Sequence, residues 1–127
     1  MINTKICSLL NIKYPIFQGG MAQISDANLA AAVSEAGGLG IIAAGNNTPD
    51  VLKKEIDKIR LLTDKPFGIN VMLLNIYAKE VSEMLAEEKV PVIITGAGNP
   101  GVYMKMWKEA GIKVIPVVPS VAYAKHL

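Results

Sequence analysis

A regular alternation of short, nearly uninterrupted apolar runs with longer amphipathic segments limits this chain's fold more than any other feature. Tyr14–Gln18 (YPIFQ), Leu39–Ala43 (LGIIA), Phe67–Leu73 (FGINVML), Val90–Thr95 (VPVIIT) and Lys113–Val118 (KVIPVV) are rich in Ile and Val. Hydrophobicity unbroken over so few residues is what a strand covered on both faces requires. Between the runs lie helix signals. Asp26 can cap ANLAAAVSEA, which ends at Gly37-Gly38, and Thr48-Pro49 opens PDVLKKEIDKIRLL, whose Val51, Ile56, Ile59 and Leu62 share an apolar face. Ile76–Glu88 and Val102–Ala110 follow the same pattern, and Ser120 begins another helix.

Strands joined by crossover helices are parallel, and such crossovers are right-handed, so two architectures remain open. One is an open doubly wound, flavodoxin-like sheet; the other is the first part of a β/α barrel. With 127 residues, of which 51% are apolar and 19% charged, the chain is expected to form one domain or a piece of one. Its net charge of +2 comes from lysines scattered among acids, without a basic stripe interleaved with aromatics, which argues against nucleic acid as a partner. The N-terminus MINTKICSLLNI lacks the apolar core of a signal peptide, and no run is long enough to span a bilayer, so a cytoplasmic location is the default. Cys7 is the single cysteine and has no base nearby in sequence, which suits a buried thiol better than a nucleophile.

Both architectures place ligands at the loops after the strands' C-terminal ends, so these loops are the candidate site in either case. They are Gln18-Gly19-Gly20-Met21-Ala22, Ala44-Gly45-Asn46-Asn47, the turn after Asn70, Gly96-Ala97-Gly98-Asn99-Pro100-Gly101, and Pro119-Ser120. Rich in glycine and amides and poor in acids, they suit a neutral or anionic cofactor held by backbone N–H groups. A divalent metal would require clustered carboxylates or histidines, so no metal site is expected.

Gly96 to Gly101 spells GxGxxG between a strand and a helix, but the acid that a dinucleotide site needs after the next strand is replaced by Val118-Pro119-Ser120. Asn99 as helix cap, with Pro100 at the first helical position, accounts for the motif. Gly38-Leu39-Gly40 runs into a strand and reads as punctuation. His126, the only histidine, has no partner that would make it a base and is expected on an exposed helix. Trp107 and the methionines around it fall at helical spacing and read as packing groups, whereas Met21 and Met72 fall at the loop ends of strands. Pro15, Pro91 and Pro116 mark strand starts or an edge.

Five collinear segments carry a family resemblance: YPIFQGGMA (14–22), EAGGLGII (35–42), DKPFGINVMLL (64–74), TGAGNPGVYM (95–104) and IPVVPSVAYAK (115–125). Together they resemble the flavin-dependent enoyl-[acyl-carrier-protein] reductases of bacterial type II fatty acid synthesis, close kin of the nitronate monooxygenases. The resemblance implies residues 1–127 as a single incomplete FMN-binding domain, about five βα units from the N-terminal part of a TIM-type barrel. It further implies FMN as cofactor, NADH or NADPH as hydride donor, and a small-molecule or acyl-carrier-protein trans-2-enoyl thioester as substrate. Gly19, Gly20, Met21 and Ala22 would lie along the isoalloxazine, with Asn70 on its polar edge. Gly96, Ala97 and Gly98 would line the neighbouring loop, and Val117 and Ser120 would face the cofactor from the fifth strand.

The family's later glycine-rich phosphate loops, and a catalytic histidine in a Gly-Gly-His context, match nothing in these residues, and His126 does not take that role. No catalytic residue is therefore expected here. A nitronate monooxygenase, oxidising alkyl nitronates with oxygen, is the alternative activity. A receiver-like module is disfavoured, because Asn70 stands where a phosphoacceptor Asp would be required. Since an open arc of barrel leaves its first and last strands unpaired, the isolated chain is expected to dimerise, aggregate or be marginally stable, and to be inactive with little affinity for FMN.

Overall fold

The computed structural model describes Ile2 and Thr4–Leu127. Strands β1 (Gly40–Ala43), β2 (Phe67–Met72), β3 (Val92–Gly96) and β4 (Lys113–Pro116) form one parallel sheet in the order β1-β2-β3-β4. Among the described residues six helices accompany them: α1 (Lys5–Leu10), α2 (Ala27–Glu35), α3 (Pro49–Leu62), α4 (Ala78–Glu88), α5 (Gly101–Glu109) and α6 (Val121–His126). The apolar run Tyr14–Gln18 is not a full strand. It adds one parallel bridge, Phe17 to Leu39, outside β1, with Leu39 N–H donating to Ile16 O at 2.9 Å and Gln18 N–H to Leu39 O at 3.0 Å. This sequential order is that of a barrel arc; a flavodoxin-like sheet would place the first strand between the second and third. The chain thus has an α/β fold with a partial parallel sheet, the N-terminal part of a TIM-type barrel.

Each sheet face has its own core. Helices α2 to α5 cover one face, burying Ile42, Ile69, Val71 and Ile93 against Ala30, Leu52, Ile56, Leu85 and Trp107. The opposite face holds Leu39, Ile41, Val92 and Ile94, packed with Cys7 and Leu10 of α1 and with Ile12. Helix α1 is absent from the sequence reading, since its six residues are too few to register a period. Cys7 is buried, as expected of an inert thiol. No helix among the described residues is long and apolar enough to cross a membrane.

Several helix details differ from the sequence expectation. The buried stripe of α3 is Leu52, Ile56 and Ile59, each 0% exposed, while Val51 and Leu62 are both 46% exposed; the i, i+4, i+7 face is rotated by one residue. Helix α4 begins at Ala78, because the Asn75 Oδ1 accepts from Tyr77 N–H at 3.0 Å and holds the preceding residues in a turn. Helix α5 begins at Gly101, with Pro100 at the capping position, although Asn99 Oδ1 still accepts from Gly101 N–H at 2.8 Å. The caps at Asp26 and Ser120 form as expected, to Leu29 N–H and Tyr123 N–H. Trp107 is fully buried and donates its indole N–H to Ser82 O at 3.1 Å, so it is a packing group with a satisfied polar handle.

Gly40 is more than punctuation. An added Cβ there would sit 1.8 Å from the Ala30 carbonyl oxygen, so α2 crosses β1 at a distance only glycine permits. Small residues on that helix, Ala27, Ala30 and Ala31, complete the close approach. Ser34 fastens it by donating to Pro66 O at 2.8 Å and accepting from Gly40 N–H at 3.1 Å. At the other end of the sheet, Lys113 N–H and Val117 N–H donate to Pro91 O and Thr95 O of the β3 side. The alternation of a parallel ladder then turns the main-chain nitrogens of Val114 and Pro116 toward the open edge, where a proline removes no bond within the sheet.

Candidate cofactor site

The glycine loops converge at the C-terminal end of the face that α1 covers from below. A Cβ on Gly68 would touch Ile94 Cδ1 and Ile41 Cγ1, which places Gly68 on that face, and two-residue alternation puts Asn70 and Met72 there too. The register sets Asn70 beside Ala43 and Met72 beside Gly96. Val117 follows β4 at the level of Thr95, bound through its N–H at 2.8 Å, and is 69% exposed.

Loop one leans directly on this surface. A Cβ on Gly20 would fall 2.7 Å from Asn70 Cβ and 2.9 Å from its Nδ2, so backbone and amide are in contact. Ala22 lies near Gly45, whose hypothetical Cβ would be 3.8 Å from the Ala22 Cβ, and Asn75 Nδ2 donates to Gly45 O at 2.6 Å. Loop four packs on the end of β2: Gly98, at φ +151°, would push a Cβ to within 2.6 Å of Leu73 Cβ. Ala97 beside it holds φ 53°, a left-handed conformation uncommon outside glycine and frequent at ligand sites.

These loops offer donors and open space. Among the described residues the backbone N–H groups of Gly19, Gly20, Ala97 and Gly98 donate to no protein group, and neither does the Asn70 amide. Nothing lies within 4 Å of a Cβ built on Gly19 or Gly96. The thioethers of Met21 and Met72 flank the gap, 42% and 44% exposed. Flat open backbone, orphan donors and soft apolar walls fit the ring of a flavin, whose chemistry needs a shielded slot more than a charged nucleophile. No group of three or more His, Cys, Asp or Glu that could hold a metal exists among the described residues. Ser120 stands apart: its hydroxyl accepts from Tyr123 N–H at 3.2 Å and hydrogen-bonds only within its own helix.

Two residues that sequence reasoning passed over hold loop one in place. Gln18 Nε2 lies 2.8 Å from Ser25 Oγ, 3.1 Å from Ile41 O and 2.9 Å from Gly19 O, and Gln18 Oε1 accepts from Ile41 N–H at 3.3 Å. Ser25, 4% exposed, accepts from Met21 N–H at 2.9 Å and donates to Gly19 O at 3.2 Å. The only advance signal was a buried-turn serine four residues after Met21, too common a pattern to single out. Next to it, the Leu29 N–H and the Asn28 amide hold the Asp26 carboxyl below the usual carboxylate range.

A cavity of about 390 Å³ lined by Asn46, Leu74, Asn75, Ile76 and Tyr77 adjoins the loops. The larger cleft, about 480 Å³, lies at the opposite end, among Asn11, Lys13, Glu35, Gly37 and Lys65 before the strands begin. Parallel α/β sheets bind ligands at the C-terminal ends of their strands, the end at which the smaller cavity opens, although none of the rim residues lines it.

Residues 3–84 match the family model described as nitronate monooxygenase. The chain belongs to the nitronate monooxygenase family. FabK from Thermotoga maritima is 50% identical and superposes with a TM-score of 0.96, over 99% of this chain and 40% of that one. A nitroalkane oxidase from Streptomyces ansochromogenes, 27% identical, superposes at 0.85 over 97% of this chain and 45% of that one. A (3aS,4S,5R,7aS)-5-hydroxy-7a-methyl-1-oxo-octahydro-1H-indene-4-carboxyl-CoA dehydrogenase of Mycobacterium tuberculosis is 36% identical over 98% of this chain. The chain spans 34% of that curated relative's length. Both the barrel-arc reading and the flavoprotein resemblance agree with this membership.

Proposed function

We propose that residues 1–127 form a single, incomplete FMN-binding barrel domain, one part of the flavin site of an NAD(P)H-dependent oxidoreductase that reduces trans-2-enoyl thioesters on acyl carrier protein. The observation that carries this reading is the convergence of Gly19, Gly20, Met21, Ala22, Asn70, Gly96, Ala97, Gly98 and Val117 on one rim, with open space and unpaired N–H donors where a flat ring would lie. Ser120 belongs to the same end of the sheet as the cap of α6. Supporting the thioester branch are the 50% identity to FabK and a relative whose name specifies a CoA thioester. When bound, the flavin supplies the hydride transfer; this chain's residues hold the ring, exclude water from one side of it and present donors to its edge.

The family model itself favours the alternative, oxidation of alkyl nitronates with oxygen. The chain spans 40% of FabK's length; by the family resemblance the phosphate grip and the catalytic histidine match none of these residues, and residues 1–127 taken alone are expected to be inactive and to bind FMN weakly. Its exposed β4 edge favours self-association, and its setting is the cytoplasm, without membrane or nucleic acid as partner. Joining residues 1–127 to the remainder of the Thermotoga maritima FabK barrel tests the reading. The chimera is expected to be yellow and to oxidise NAD(P)H only when an enoyl thioester is present. Oxygen consumption with an alkyl nitronate, without thioester-dependent NAD(P)H oxidation, would overturn it in favour of the alternative.

A further inference from the structure

The bridge between Phe17 and Leu39 follows the parallel ladder rule: Leu39 N–H bonds the carbonyl before Phe17, and the N–H after Phe17 bonds Leu39 O. Continued by one step, the rule would pair Ile41 N–H with the Gln18 main-chain carbonyl, and Gly20 N–H with Ile41 O. Neither bond forms. Ile41 N–H goes instead to the side-chain Oε1 of Gln18, at 3.3 Å, and Ile41 O accepts from its Nε2, at 3.1 Å. One side-chain amide stands in for the next rung of the sheet.

That substitution explains why the first strand stops after one bridge, and what the following residues are released to do. With Ile41 already satisfied, the main chain at Gly19-Gly20-Met21 leaves the sheet without orphaning a buried partner on β1. Ser25 completes the arrangement. Its hydroxyl donates to Gly19 O and accepts from Met21 N–H, and Gln18 Nε2 lies 2.8 Å from it, sharing its two hydrogens among Ser25 Oγ, Ile41 O and Gly19 O. Ser25 O in turn accepts from Ala43 N–H at 3.0 Å, which fixes the brace to the strand that flanks Asn70. The loop is therefore clamped at residues 19 and 21 with the intervening Gly20 N–H left undonated and its Cα against the Asn70 side chain.

We propose that Gln18 and Ser25 are the positioning residues of the flavin-facing loop: the Gln18 amide replaces a rung of the sheet so that the Gly20 N–H is presented to the cofactor at the rim. The proposal rests on the flavin reading above. Neither side chain touches the cofactor; each acts through the backbone of residues 19 to 21.

Gln18→Met tests it, since the thioether keeps the length of the amide side chain and loses both the donors to Ile41 O and Gly19 O and the acceptor of Ile41 N–H. Ser25→Ala removes the second member, and Ser25→Thr is the conservative variant that retains the hydroxyl. Hydrogen exchange in the protein without FMN reads the brace directly. In Gln18→Met the Ile41 and Met21 amides are expected to exchange about tenfold faster or more, with Ile69 and Ile93 in the sheet centre unchanged. Ser25→Ala is expected to release Met21 alone, and Ser25→Thr to restore it. In the flavin-loaded protein the same two disruptive variants are expected to weaken FMN binding about tenfold and to alter the visible flavin band, while melting temperature changes little. Unchanged exchange at Ile41 and Met21 would overturn the proposal, as would faster exchange accompanied by an unaltered FMN affinity and spectrum. A parent protein that binds no FMN even with the barrel complete would sink the flavin reading itself, and the brace would then stand or fall on the exchange data alone.

Discussion

Gly40→Ala is the most exacting test of how this fold is assembled. The new Cβ would lie 1.8 Å from the Ala30 oxygen, 2.5 Å from its carbonyl carbon and 2.8 Å from its Cα. All three are backbone atoms, so no side-chain rotation relieves the contact. To reach an ordinary separation of about 3.4 Å, α2 must retreat from β1 by roughly 1.6 Å. That movement would open the packing around Ala27, Ala30 and Ala31 and break the Ser34 bonds to Pro66 O and Gly40 N–H. Overpacking a core costs about 1–3 kcal/mol when side chains can adjust, so a backbone collision should cost about 3 kcal/mol or more. A domain of this size has about 6–19 kcal/mol in total, and the melting temperature should fall by about 10 °C or more. Thermal and urea denaturation followed by circular dichroism measures it, with Gly19→Ala and Gly96→Ala as controls, because their added methyl groups meet nothing within 4 Å. The controls should melt within about 2 °C of the parent. A Gly40→Ala protein that melts with the controls would refute the claim that the α2–β1 approach is set at this glycine.

Three further outcomes follow from the structure. Asn70→Ala should change stability by less than about 1 kcal/mol, since its amide makes no hydrogen bond among the described residues, yet should weaken FMN binding about tenfold in a flavin-loaded protein, read by fluorescence quenching. Trp107→Phe should cost about 2 kcal/mol in urea unfolding, because it leaves a void and strips the indole bond from Ser82 O. Glu88 is held below the usual glutamate range by Lys53, with Arg60 adding to the effect, so the unfolded state binds the proton more readily. Its contribution is present above the unfolded pKa and is lost as pH falls through the lower folded value. Urea midpoints between about pH 6 and pH 3 should decline less steeply in Glu88→Gln, by under about 1 kcal/mol for so accessible a network.

The parallel sheet, five of the six helices and the glycine-rich loops were legible because each depends on local pattern: apolar runs, caps and glycine punctuation; the strand order was not, since a barrel arc and a flavodoxin-like sheet share the same alternation. Asp26, Ser120 and Trp107 occupy the roles their sequence context implied. What escaped notice depends on contacts distant in sequence. Gln18 looked like the last residue of a strand, and nothing local shows that its side chain will bond both polar groups of Ile41, 23 residues away. Gly40 looked like a turn residue because the helix that presses on it is read from a different segment. Helix α1 was missed because it owes its conformation to the apolar face it covers, through Cys7 and Leu10, more than to its own six residues.

Pro116 bears on what the protein does at high concentration. The open side of β4 offers a main-chain donor at Val114, but at Pro116 it offers none. A second copy adding to that edge would bury a carbonyl with no donor opposite it, at a cost of about 1–3 kcal/mol for every copy stacked. Indefinite strand-on-strand growth is thereby penalised at each repeat, whereas a segment that ends or turns away before Pro116 incurs no such cost.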